Sequence, residues 1–303
     1  MTPNIVCFGE TLWDVLPTGK QPGGAPFNVA VHLHQLGQPA ALISRVGDDE
    51  LGAELLAFLQ ARGLRTDYVQ RDPDHPTGVV EANVGDRHEV VYTIVQSVAW
   101  DFIQYEEGLR ALVAGAAMLV FGSLATRTPA TRETLYRLLP AARFRVFDVN
   151  MRAPHYTREG VLHLLEHSDL VKMNHHELAE ILAWVGHDAT AADDDGAALE
   201  WLAARYHLQA VCVTLGADGA RLWTGGRHYR SPGLAVEVTD TIGSGDAFLA
   251  ALLTGWLAGQ PPAECLRQAC ATGALVATCQ GATPRITPTE VAALQRAHAA
   301  PQS

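Results

Sequence analysis

Short runs of consecutive apolar residues alternate along this chain with longer stretches in which apolar positions recur every three or four residues. A run such as Met118-Leu119-Val120-Phe121 suits a strand covered on both faces, and the wider spacing suits a helix with one buried side. Strands are predicted over residues 4–9, 40–46, 118–123, 145–150, 170–174, 210–215, 220–224 and 235–239. Helices are predicted over 26–36, 49–62, 106–114, 129–139, 158–166, 175–185, 193–205, 243–258, 262–278 and 287–298. This alternation points to an α/β fold, an open and mostly parallel sheet with helices on both sides. Two stretches break the rhythm. Residues 11–22 and 77–95 read as strands with no helix after either, and the second has a hairpin shape around Gly85-Asp86. Both are assigned to one small sheet projecting from a single domain of 303 residues. The charge run Asp193-Asp194-Asp195 is expected to start a helix, where acids suit the helix dipole.

Charge narrows the classes of partner. Lys and Arg total 22 against 33 Asp and Glu, a net charge of −11, so a non-specific nucleic-acid binder is not expected. An anionic substrate needs a local cationic or amide-lined site in such a field. The sequence begins Met1-Thr2-Pro3-Asn4 without a basic, apolar leader pattern, and no run reaches the roughly 18 apolar residues of a membrane span. The five cysteines form no C-x-x-C pair, which reads as reduced thiols in a cytoplasmic protein. Thirteen histidines include His32-x-His34 and His175-His176, but none stands in H-E-x-x-H spacing, so surface or structural roles are expected.

The segment Asp240-Thr241-Ile242-Gly243-Ser244-Gly245-Asp246-Ala247-Phe248 leads into an apolar helix. Glycines let the backbone approach a ligand, and unpaired amides at a helix start can cradle a phosphate. Asp246, in the first turn, is placed to take a proton from a hydroxyl attacking phosphorus. The same residues also fit a plain glycine-rich turn whose acid stabilises the helix start. The segment is neither a dinucleotide fingerprint, since Phe248 stands where a third glycine belongs, nor a Walker A loop. A second signal is Gly23-Gly24-Ala25-Pro26-Phe27-Asn28, with proline near a helix start and Asn28 able to donate and accept there. Upstream, Asp14 sits among apolar residues, where an unpaired carboxylate is costly. A carboxylate, an amide and glycine backbone on one cleft suit a polyhydroxylated ligand; a helix cap plus a surface acid is the plainer alternative.

These two segments, with the Gly47-Asp48-Asp49-x-x-Gly52 turn and Asn174-x-x-Glu177, resemble the signatures of the PfkB, or ribokinase-like, carbohydrate kinases, in order and separation over essentially the whole chain. Gly9-Glu10-x-Leu12-x-Asp14, Ala99-Trp100-Asp101-Phe102 and Asp148-x-Asn150-x-Arg152 look most like bacterial fructokinases. The resemblance implies a Rossmann-like sheet with a small β-lid over the sugar, from about 11–22 and 77–95; the exposed edges and apolar inner face of such a lid make it a candidate surface for a homodimer. It implies Asp246 as base and the amides of Gly243, Ser244, Gly245 and Asp246 as anion hole. It implies Asp14, Gly24 and Asn28 on the sugar hydroxyls, with Arg152 as a phosphate or substrate clamp. Asn174 and Glu177 are implied to arrange Mg2+, its waters and the phosphates, and Thr214, Gly216 and Gly219 to form the ATP-side loop. Many members bind a monovalent cation through positions matching Asp240, Ile242 and 276–285; here Arg285 falls where a small polar ligand often stands, so a potassium site of that kind is not expected.

The substrates implied are ATP and a small sugar, with D-fructose phosphorylated on a primary hydroxyl to fructose 6-phosphate. A 2-keto-3-deoxygluconate kinase, which shares the Asp-x-Asn-x-Arg pattern, is the nearest alternative. It needs a cation for its acid, and the lid run Val91-Tyr92-Thr93-Ile94-Val95-Gln96 supplies no arginine. A nucleoside kinase and a non-catalytic sugar-binding regulator complete the alternatives.

Overall fold

The computed structural model describes residues 3–16, 19–84, 90–187 and 195–298. Its strands are β1 (Ile5–Phe8), β2 (Leu12–Leu16), β3 (Gly19–Gly23), β4 (Ala40–Gly47), β5 (Val69–Asp72), β6 (Gly78–Val84), β7 (Val90–Ile94), β8 (Met118–Gly122), β9 (Arg145–Asp148), β10 (Leu170–Asn174), β11 (Ala210–Thr214), β12 (Ala220–Thr224) and β13 (Arg227–Ser231). The helices are α1 (Ala25–Gln35), α2 (Glu50–Ala61), α3 (Glu107–Gly115), α4 (Pro129–Leu138), α5 (Arg158–Glu166), α6 (His175–Trp184), α7 (Asp195–Tyr206), α8 (Ser244–Leu257), α9 (Pro262–Ala277) and α10 (Pro288–Ala297).

Among the described residues the large sheet runs β13-β12-β11-β10-β9-β8-β1-β4-β5. Pairings from β5 to β11 are parallel, and β12 and β13 add an antiparallel edge. Alternate residues of β1 show why its run is continuously apolar. Ile5 and Cys7 pack in one core layer with Phe27 of α1 and Leu249 of α8. Val6 and Phe8 pack in the other, with Leu135 of α4 and Leu164 of α5. From β1 the chain moves to β4 and β5 on one side and later returns to β8 on the other, and such a switch opens a crevice at the carboxyl ends of the strands.

The two stretches outside the rhythm do form one small sheet, in the order β3-β2-β6-β7. Contrary to the sequence reading, a helix does follow the first of them: α1 begins two residues after β3, with Gly24 between. The hairpin turn Gly85-Asp86 lies outside the described residues, as do Asp193 and Asp194 of the charge run. The Gly47-Asp48-Asp49-x-x-Gly52 turn joins the two sheets. Asp49 caps α2 by accepting from the Gly52 amide at 2.7 Å, and also accepts from the Thr77 amide and hydroxyl at 2.8 and 2.6 Å, at the foot of β6. Those donors hold its carboxyl below the usual carboxylate range against the effect of burial. A second tie is the buried pair Arg127–Asp101, at 2.6 Å, whose guanidinium also donates to the Val95 carbonyl beyond β7 and lies 3.7 Å over the Trp100 ring.

One predicted strand needs correction, and two edge strands lie outside the predicted elements. Residues 235–239 are not a strand but irregular backbone, and the edge strand of that region is β13 instead. The short polar strand β5 was missed. No helix among the described residues is long and apolar enough to cross a membrane.

Candidate functional site

Helix α8 begins at the carboxyl edge of the sheet. Its N-cap, Gly243, has φ +76°, and no side chain caps the helix, so the first-turn amides beyond Ser244 keep their donor capacity for a ligand. Only glycine fits here, because a Cβ would run into the Ala282 carbonyl as well as strain the backbone. Ser244 turns both its hydroxyl, at 2.9 Å, and its backbone amide, at 3.3 Å, back to the Thr241 carbonyl.

Asp246, half-buried in the first turn, accepts a hydrogen bond of 2.8 Å from Asn28 Nδ2. Asn28 lies in the first turn of α1, so two helix starts from distant parts of the chain meet at this carboxylate. Burial pushes the Asp246 carboxyl up to about 7, the charge of Asp148 adds to that, and Lys172, Asn28 and Arg152 oppose it. Arg152, exposed, therefore sits within electrostatic reach of Asp246.

Lys172 and Asp148 are the pair that sequence reasoning missed. They are register partners on β10 and β9. Lys172 Nζ donates to both Asp148 oxygens, at 2.9 and 3.1 Å. The same ammonium lies only 3.2 Å from where a Cβ on Gly245 would be, so it underlies the start of α8. Burial works against its charge, but the Asp148, Asp246 and Glu177 carboxylates around it hold it firmly protonated.

The Gly23-Gly24 segment lines the approach from the small sheet. Gly24 has φ +109°, and a Cβ there would strike the Glu10 carbonyl. Asp14, on β2, lies against Gly23, and burial followed by the charge of Asp240 raises its carboxyl to about 6. Glu10 is fully enclosed, accepts from the Ala25 amide at 2.9 Å and is raised by burial to about 7. With Asp246 this makes three carboxyls that burial raises above the usual carboxylate range.

On the other side of α8 lies a cleft of about 560 Å³. Thr214, Gly216 and Gly219 line it together with Ser244 and Gly245, and irregular residues 233–236 close one wall. Its apolar lining, including Phe248 and Val238, suits a flat ring, while the α8 amides suit a phosphate chain. Asn174 is not part of that lining. Its Oδ1 caps α6, accepting from the His176 and Glu177 amides at 2.9 Å each.

Glu177 accepts from the Asn174 amide with one oxygen and the Met151 amide with the other, both at 2.8 Å. Burial raises its carboxyl, with the Asp148 charge adding to the effect. Each oxygen retains one lone pair, so Glu177 fits a magnesium ion best through that ion's waters. At the loop before α10, where related kinases place a monovalent cation, several acceptors are already engaged. Asp240 accepts from the Ile242 and Gly281 amides with its two oxygens, at 3.0 and 3.1 Å. The Ala282 carbonyl takes His32 Nε2 at 2.9 Å, and the Thr283 carbonyl takes Arg62 at 2.9 Å.

An α/β sheet with an uncapped glycine-rich helix start, a carboxylate of raised pKa and an adjoining elongated cleft defines an enzyme of the phosphoryl-transfer class. A family model described as pfkB family carbohydrate kinase matches residues 2–290, and the chain belongs to that family. A fructokinase of Klebsiella pneumoniae is 30% identical over 93% of this chain and 95% of its own. A crystal structure of fructokinase with bound ATP from Xylella fastidiosa superposes with a TM-score of 0.85 at 23% identity, covering 98% and 99% of the two chains. A fructokinase of Vibrio cholerae in a fructose, ADP and calcium ion bound form reaches 0.81 at 25% identity over 97% and 100%. The fold is thus ribokinase-like, a mostly parallel central sheet with a small separate sheet.

Proposed function

We propose that this carbohydrate kinase transfers the γ-phosphoryl group of ATP to the primary hydroxyl of D-fructose, giving fructose 6-phosphate. The observation that carries the reading is the Asp246 carboxylate, held by Asn28 beside the helix start Gly243-Ser244-Gly245, which no side chain caps. The fructokinases to which the chain is similar support the choice of sugar.

Asp14, Gly24 and Asn28 hold the sugar hydroxyls, and Asp246 takes the proton of the attacking one as its oxygen bonds to phosphorus and the bond to ADP breaks. In a loose transition state the proton moves late, so positioning matters more than base strength. The α8 amides receive the charge on the transferring group, with Lys172 beneath them and Arg152 beside Asp246. Thr214, Gly216 and Gly219 border the nucleotide cleft. Glu177 would hold the waters of Mg2+, which would neutralise phosphate charge when bound, while Asn174, its Oδ1 committed to capping α6, would donate from Nδ2 to a phosphate. The small sheet acts as lid and as the surface of a homodimer; its outer strands β3 and β7 have no strand neighbour beyond them among the described residues, and Val15 is exposed. The five free thiols fit a reducing cytoplasm. The test is ADP release with fructose, ribose, 2-keto-3-deoxygluconate and adenosine in one assay. A higher kcat/KM for the keto-deoxy acid or for adenosine refutes the fructose assignment.

A further inference from the structure

The carboxyl end of α5 carries a donor cluster that the reaction does not use. His163, Glu166 and His167 each offer a ligand atom, and these atoms all lie within 4.8 Å of one another. The spacing explains the meeting, since residues three and four apart share one helix face. Leu164 and Leu165 between them are buried in the core, which fixes that turn and leaves the three polar side chains on its outer side.

The protonation pattern suits a cation. His167 Nδ1 lies 2.8 Å from the His163 carbonyl oxygen. A carbonyl only accepts, so Nδ1 carries the proton, and in the neutral ring the Nε2 lone pair is bare. A ring nitrogen tied to a carbonyl is the usual outer support of a metal-bound imidazole. The His163 and His167 rings stack, with centroids 4.2 Å apart. Tyr136 packs against His163, with ring centroids 4.2 Å apart. The end of a helix also bears partial negative charge, which favours a cation there.

We propose that His163, Glu166 and His167 form a binding site for a divalent d-block cation such as zinc, separate from the kinase centre. Two imidazoles and one carboxylate are a donor set for Zn2+ rather than for Mg2+ or Ca2+. Asp169, the next acid along, is committed to Arg145 and Gln209 and takes no part. The site sits before the amino end of β10, whereas the α8 start lies at the carboxyl end of the sheet. A cation here therefore acts on stability and not on chemistry. This revises the purely structural role that the sequence pattern gave these histidines.

The experiment is a zinc titration of the full chain against a competing chromophoric chelator at pH 7.5, with H163N/H167N as the comparison. Wild type is expected to bind one more zinc ion than the double variant, with a rise in melting temperature on adding zinc that the variant lacks. E166Q should weaken the site by about tenfold while keeping the metal-free melting temperature of wild type. Magnesium should not compete. Equal zinc binding by wild type and double variant overturns the proposal, as does an E166Q variant that binds zinc like wild type. Each readout is independent of kinase turnover, so a failure here leaves the phosphoryl-transfer reading untouched.

Discussion

Replacing Lys172 with methionine removes a charge and leaves the side-chain volume nearly unchanged. Its ammonium bonds to both Asp148 oxygens, at 2.9 and 3.1 Å, in a place almost closed to solvent. Breaking such a pair strands a buried carboxylate, at a cost of about 3–5 kcal/mol. For a chain of this length that amounts to a drop of about 5–10 °C in melting temperature. The same charge opposes the upward pull of burial and Asp148 on Asp246, whose carboxyl stands at about 7. Without it that value rises further, by about one pH unit or more if Lys172 behaves like other close counter-charges. Since the base must be ionised, activity falls as pH drops through this value. The acid limb of log kcat/KM against pH should therefore move upward in K172M. In K172M/D148N both perturbing charges are gone, so stability should recover and the acid limb return toward wild type. The assay is a pH–rate profile with a melting curve at each pH. A K172M enzyme that loses stability but keeps its acid limb in place refutes the link between Lys172 and Asp246.

D246N should lower kcat by roughly 10²–10⁴-fold, the range for loss of a general base, while sugar binding stays nearly intact. It should also stabilise the fold: the Asp246 pKa is raised, so the stability it contributes is full below its unfolded value of 3.8 and is lost as pH rises through about 7. The upper bound is about 4 kcal/mol, and solvent contact reduces the expected gain at pH 8 to about 1–2 kcal/mol, read as a higher melting temperature. G243A strains the backbone and collides with the Ala282 carbonyl, so the amide cradle should shift and kcat fall by about 10²-fold in steady-state assays. D14A should raise KM for fructose and lower kcat/KM by an amount equivalent to about 2–4 kcal/mol. A wild-type KM for the sugar in that variant would remove Asp14 from the binding site.

Local chemistry made the central elements legible. The alternation of β1, β4 and β8 with α1 and α4 reads directly from apolar spacing, because each strand is covered on both faces. The Gly243-x-Gly245-Asp246 start and the Gly23-Gly24 approach are legible because a positive φ or a close contact demands glycine at those positions. What stayed hidden depends on pairing across the fold. Lys172 looks like a polar interruption of an apolar strand until register sets it beside Asp148, 24 residues away. Arg127 likewise gains meaning only against Asp101 and Val95. β5 and β13 are edge strands rich in charge, so they lack apolar alternation, although Gly225-Gly226, both at positive φ, offered a hairpin signal before β13. Residues 235–239 have the β-branched composition of a strand, yet Ala235, Val236 and Val238 spend their apolar surface on the cleft.

The central claim, that the α8 start and Asp246 form a fructose-directed phosphoryl-transfer site, is tested most directly by single-turnover transfer from γ-labelled ATP in the presence of magnesium. Wild type should convert fructose to a product labelled on its primary hydroxyl, and D246N should bind fructose without converting it at a comparable rate. Label transfer by D246N at the wild-type rate, or no labelled fructose from wild type, would contradict the account.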